Sequence, residues 1–204
     1  MMSILQEIII LAPPLLFALT LHEYAHGYVA RLFGDPTAAN MGRLTLNPLK
    51  HLDPIGVICF ILIKIGWAKP VPVDPRYFKD PRRDMIWVSL AGPGINFVLA
   101  IVSVLMVKLL FATSSFWPFF IISPLIKMLG ASIWINLLLA VFNLLPLPPL
   151  DGSKILMGLL PEKAAVSYAR IEPYGFIIML VLFYTGILPK IILPIISFAQ
   201  RLIM

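Results

Sequence analysis

The sequence has little charge, few histidines and almost no cysteine: 13% of its 204 residues are charged, three are His and one is Cys. The lone Cys59 excludes an intramolecular disulfide and every zinc site built on cysteine pairs. Free cysteines are commonly buried, so Cys59 reads as a packed apolar residue. Ordinary soluble domains are about a quarter charged, so so few charges exclude one. No Lys or Arg precedes Arg31. The basic n-region of a secretory leader is therefore missing, and the first apolar stretch is expected to be retained as a helix. No internal repeat or low-complexity tail is visible.

What is present is apolar sequence, 60% of the chain. That composition belongs to an integral, multi-pass membrane protein, expected as a single membrane-embedded domain over 1–204. The net charge is +6. Nine of the sixteen Lys and Arg residues fall in 31–83, and 112–123 holds none. In a membrane protein this bias marks the cytoplasmic side. The expected partner is the lipid bilayer, with no nucleic acid.

Spans are expected at about 4–33, 85–111, 124–146 and 174–203. Pro13-Pro14 should kink the first or start a fresh helix there. A stretch such as 14–33 suffices to cross ~30 Å of hydrocarbon. Gly34 and Asp35-Pro36 then stop it. The last region breaks near 186–190, giving either one broken span or a hairpin. Residues 42–48 alternate polar and apolar, which suits strand pairing. Residues 55–65 are too short to span and read as re-entrant. The fold expected is an all-α polytopic membrane protein. It has a three-helix catalytic core, one or two C-terminal membrane segments and a small membrane-associated β-hairpin or re-entrant region around 42–73. Charge bias puts the ends of the first and third helices on one side, so the turns there can meet.

His22-Glu23-Tyr24-Ala25-His26 lies inside the first apolar run. An ionisable cluster at membrane depth is costly and marks a functional site by default. Histidines four apart on a helix project from one face. At that spacing both can bind one zinc ion, and the carboxylate between them can act on a water held by the metal. Catalytic zinc usually keeps three protein ligands and an open position. The candidates for the third are His51, Asp53 and Asp151, with Glu7 on the far side. Asp151 stands out because it follows the proline-rich break Pro146-Leu147-Pro148-Pro149-Leu150. Irregular backbone in a membrane requires protein cover or a water-filled cavity, and hydrolysis needs that cavity.

Plainer readings stand beside these. Asp151 ahead of Gly152-Ser153-Lys154 is a good helix N-cap. His51-Leu52-Asp53-Pro54 reads as a turn started by Asp53. Asn143 and Asn96 suit interhelical hydrogen bonds. Trp67, Trp87, Trp117 and Trp134 suit interface anchors. The basic run 79–83 suits a topology determinant in contact with headgroups.

Three segments taken together resemble the site-2 protease family of intramembrane zinc metalloproteases, in its compact branch without a PDZ domain. They are the motif at 22–26, then Gly92-Pro93-Gly94-Ile95-Asn96, then Asn143-Leu144-Leu145-Pro146-Leu147-Pro148-Pro149-Leu150-Asp151-Gly152. The resemblance covers about residues 14–160. It implies one Zn2+ per chain held by His22, His26 and Asp151, with Glu23 as the catalytic group that activates the water. It implies that Asn143 holds the substrate or the oxyanion, and it groups Asn96 with it. The implied reaction is hydrolysis of peptide bonds within the bilayer. The implied substrate is a single-pass membrane protein or membrane peptide, which must unwind locally to be cut. Such a chain is expected in a prokaryotic cell membrane with its active site toward the cytoplasm. An edge in 42–65 could take the extended substrate by strand addition. The resemblance implies neither an individual substrate nor an oligomeric state.

Two other functions compete. A metal-binding or metal-transporting membrane protein also uses broken helices with ionisable residues at mid-depth. Glu23 would then be superfluous, and the chain lacks repeated halves and a ligand set large enough for a pathway. An inactive scaffold that binds membrane proteins without cutting them would have no need of Glu23.

Overall fold

The computed structural model describes residues 4–63 and 66–203. The chain is helical: α1 (Ile4–Leu32), α2 (Thr37–Asn40), α3 (Pro54–Ile63), α4 (Pro81–Ala112), α5 (Phe119–Asn143), α6 (Asp151–Leu159), α7 (Glu162–Ala169), α8 (Gly175–Tyr184) and α9 (Ile187–Ile203). Four stretches are long and apolar enough to cross a membrane: Gln6–Leu32, Pro81–Ala112, Phe119–Asn143 and Glu162–Tyr184. The chain is thus an all-α, multi-pass membrane protein.

The long apolar runs become the long helices, since a backbone in lipid must satisfy its polar groups within itself. α4 begins at Pro81, four residues before its expected start at 85. Asp80 caps it by accepting from Arg83 N–H at 3.1 Å, and Pro81 takes the first helical position. Pro13 and Pro14 lie inside an unbroken α1, and no fresh helix starts there. α5 begins at Phe119 and ends at Asn143, a few residues before its expected start and end. α4 packs against α5, α1 and α6 and forms the centre of the bundle.

The C-terminal region is two helices, α8 and α9, that meet at 185–186, at the start of the expected break. The turn between them holds Gly186 at φ +74°, a left-handed conformation that glycine adopts freely. The fourth spanning stretch also starts earlier than expected, since it includes α7. In α9, Leu188, Ile192 and Ile196 recur every fourth residue and bury one face against Val104, Ile133, Leu137 and Val141 of α4 and α5.

The expected β-hairpin in 42–73 is not formed. Among the described residues it reduces to one antiparallel bridge, Leu52 to Ala68. Residues 42–47 are turn, bend and irregular backbone that leads into a 3-10 turn at Pro48–Lys50, and Pro54–Ile63 is helix, too short to span. Lys64 and Ile65, the end of the expected re-entrant segment, lie outside the described residues. The alternation in 42–48 misled because this backbone bonds to the end of α2, where the Ala38 carbonyl accepts from both Arg43 and Leu44 N–H, and to the His51 ring, not to a partner strand.

Candidate metal centre

His22 and His26 sit on one face of α1, with their Nε2 atoms 3.1 Å apart. Asp151 is the first residue of α6 and reaches both, with Oδ2 3.2 Å from each Nε2. The two turns expected to meet therefore do. The N-cap position of α6 is Leu150, and no side chain caps that helix. The Asp151 carboxylate is thus directed at the imidazoles and does not cap. His22 and Asp151 are buried and the His26 side chain is only 12% exposed, and the three form the cluster that could hold a metal among the described residues.

The far sides of both rings decide what the near sides offer. His26 Nδ1 lies 2.7 Å from the Val88 carbonyl, which can only accept, so Nδ1 carries the proton. His22 Nδ1 lies 2.6 Å from Asn96 Oδ1. Asn96 Nδ2 donates to Asn136 Oδ1 at 2.8 Å, and Asn136 Nδ2 donates to the Ser132 carbonyl at 2.9 Å. That terminal carbonyl fixes the sense of the chain, so His22 Nδ1 is also a donor. In the neutral form that a metal ligand takes, both rings then turn unprotonated Nε2 lone pairs toward each other and toward a carboxylate oxygen.

Such an arrangement is repulsive unless a cation sits among the three atoms. Asp151 Oδ2 is buried with no hydrogen-bond partner, as expected of an atom kept for a metal. Three ligand atoms around one tetrahedral zinc stand about 3.3 Å apart, close to the separations here. The residues present fit the ion. Histidine ligands whose second nitrogen donates to a carbonyl are the usual support of such sites.

Gly92 lets the rings lie where they do. A Cβ there would come within 2.5 Å of His26 Nε2 and 2.6 Å of His22 Nε2. Gly92 thus makes room in α4 for two side chains of α1.

Glu23 is 9% exposed, and its Oε2 accepts from Val71 N–H at 2.8 Å. It lines a cavity of about 770 Å3 together with His22, His26, Asp151, Asn143 and Lys154. Trp67 and Phe176 also line that cavity, ring against ring in an edge contact at 5.7 Å. Asn143 Nδ2 donates to the Leu139 carbonyl at 3.0 Å, which leaves its second N–H free to face the cavity. Asn96 is fully buried behind His22 and is not on the cavity wall. Its geometry is that of a group that orients His22, since its amide is occupied on both sides.

The other ligand candidates stand elsewhere. His51 is buried and its Nε2 meets the Thr45 carbonyl at 2.8 Å. Asp53 starts α3, accepting from Ile55 N–H and Gly56 N–H and from Trp67 Nε1. The Gly56 N–H, followed by those of Ile55 and Trp67, holds the Asp53 carboxyl below the usual carboxylate range. Asn136, the Val88 carbonyl and the Val71 amide carry no motif, and sequence reasoning missed them. The one available signal was Asn136 itself, a polar side chain within an apolar span.

The sequence profile of Peptidase family M50 matches residues 10–122 and 121–186. YwhC of Bacillus subtilis (strain 168) is 43% identical over 194 residues, covering 90% of this chain and 84% of that protein. Rip2 of Mycolicibacterium smegmatis is 34% identical over 182 residues, covering 86% of this chain and 66% of that protein. Both carry names that propose a zinc metalloprotease. No solved structure matches.

Proposed function

The chain belongs to Peptidase family M50 as a zinc metalloprotease, and we propose that it hydrolyses peptide bonds of membrane-spanning substrates within the bilayer. The observation that carries this reading is the convergence of His22, His26 and Asp151 on one point beside Glu23, at the wall of a cavity among apolar helices. His22, His26 and Asp151 would hold the ion, one per chain. Bound zinc supplies Lewis acidity that polarises the scissile carbonyl and lowers the pKa of the attacking water.

The rest of the chemistry belongs to the chain's own side chains. Glu23 takes the proton of the attacking water and later delivers it to the departing amine. Its Oε2 is held by Val71 N–H, which supports proton transfer through Oε1. The free N–H of Asn143 supports a role in stabilising the oxyanion, worth a few kcal/mol for a well-placed donor. Asn96 acts through His22, by fixing its tautomer and ring plane. A helical substrate hides its peptide bonds in its own hydrogen bonds, so it must unwind before it reaches Glu23.

The basic residues of 31–83 support a cytoplasmic active site in a prokaryotic cell membrane. A metal carrier without proteolysis is the competing reading. Glu23→Gln separates the two in the full chain reconstituted with a single-span peptide. Loss of cleavage with zinc retained is expected. Cleavage at the unsubstituted rate would refute the proposal.

A further inference from the structure

Residues 69–74 form neither helix nor strand, and Pro70 and Pro72 have no N–H to offer a ladder. The segment is nevertheless fixed along its length by groups from other parts of the chain. Lys69 N–H donates to the His51 carbonyl at 2.8 Å. The carbonyls of Lys69 and Pro70 accept from one nitrogen, Arg43 Nη2, at 2.7 and 3.2 Å. Val71 N–H, one residue on, donates to Glu23 Oε2 at 2.8 Å. Asp74 N–H donates to Oδ2 of the buried Asp35 at 2.8 Å.

Arg43 is 8% exposed, and among the described residues no carboxylate pairs with it. A buried guanidinium is costly unless it is hydrogen-bonded. Its acceptors here are the two carbonyls that immediately precede Val71. Its Nε is buried without a partner, so the two bonds of Nη2 tie the guanidinium to this backbone and set the position and the tilt of the peptide that leads into the Val71 amide.

We propose that Arg43 is a positioning residue for catalysis, acting through the 69–71 backbone and the Val71 amide to aim the Glu23 carboxylate. The inference rests on reading Glu23 as the base. A free glutamate samples several rotamers. One oxygen held by a fixed N–H restricts it to the orientation that directs the other oxygen into the cavity. Displacing a reacting group by about 1 Å can lower a rate ~10²-fold. The amide itself has no side chain to replace, so Arg43 is the point at which the arrangement can be loosened.

The test uses the full chain in liposomes, with a fluorophore- and quencher-labelled single-span peptide that the unsubstituted chain cleaves. Arg43→Ala is expected to lower kcat about tenfold or more, with KM within about twofold and zinc per chain unchanged. Arg43→Lys, which keeps a donor for the carbonyls, is expected to fall between the two. The inference is overturned by a kcat for Arg43→Ala within about twofold of normal, by a loss carried in KM alone, or by zinc lost together with turnover. The last result would make Arg43 a brace of the whole site. Glu23→Gln is run in parallel. If it still cleaves, the reading of Glu23 as base falls. If it is inactive with zinc bound while Arg43→Ala is normal, only the role of Arg43 falls.

Discussion

His22 Nδ1 lies 2.6 Å from Asn96 Oδ1 across the contact of α1 with α4, and that bond decides which ring nitrogen faces Asp151. With Nδ1 as the donor, Nε2 is left as a bare lone pair. Asn96→Ala removes the acceptor and frees both the tautomer and the ring plane. Zinc affinity should fall roughly 10- to 100-fold, measured by competition with a chelator. Asn96→Asp keeps an acceptor at the same place and should bind zinc more tightly than the alanine variant.

Gly92→Ala should be more damaging than its size suggests. The added methyl would stand 2.5–2.6 Å from the two Nε2 atoms, and those rings cannot retreat without breaking their bonds to Val88 and Asn96. Zinc content and cleavage should both drop sharply while helix content by circular dichroism stays near normal. Gly94→Ala is the control, since its Cβ would meet nothing within 4 Å.

Asp151 distinguishes a ligand from a cap. Capping side chains are worth about 1 kcal/mol to a helix, and their loss leaves a remote metal site intact. Asp151→Ala should instead leave far less than one zinc per chain with little change in helicity, read by metal analysis and circular dichroism. Chelation of the unsubstituted chain should abolish cleavage, and added zinc should restore it.

Asn143→Ala should leave zinc in place and lower turnover. Its Nδ2 bonds Leu139 through one hydrogen and leaves the other for substrate. Removing one oxyanion donor costs about 10²-fold or more in kcat in enzymes that use one. Steady-state kinetics at matched zinc content checks this.

The helices and the centre of the site were legible because their signals are local. Apolar runs announce spans, and two histidines four apart announce a shared face whatever the rest of the fold does. Asp151 was legible through the proline-rich break before it and the resemblance carried by 143–152, and its capping alternative fell once its carboxylate was found between two imidazoles. Residues 42–73 were misread because their order is not local. Arg43 and Asp35 hold backbone about 25 to 40 residues further on, and Glu23 holds Val71 across 48 positions. Alternation of residue types cannot reveal such bonds. Asn136 stayed hidden for a different reason: a lone amide in an apolar helix signals a polar partner but does not say that the partner supports a metal ligand.

The ligand set is the claim on which everything else depends, and anomalous scattering at the zinc edge from crystals of the full chain tests it directly. The expected result is one zinc per chain with His22 Nε2, His26 Nε2 and an Asp151 oxygen at about 2.0–2.2 Å and a fourth position open to solvent. Zinc bound through His51, or a site at 22–26 with Asp151 turned away from the ion, would contradict it.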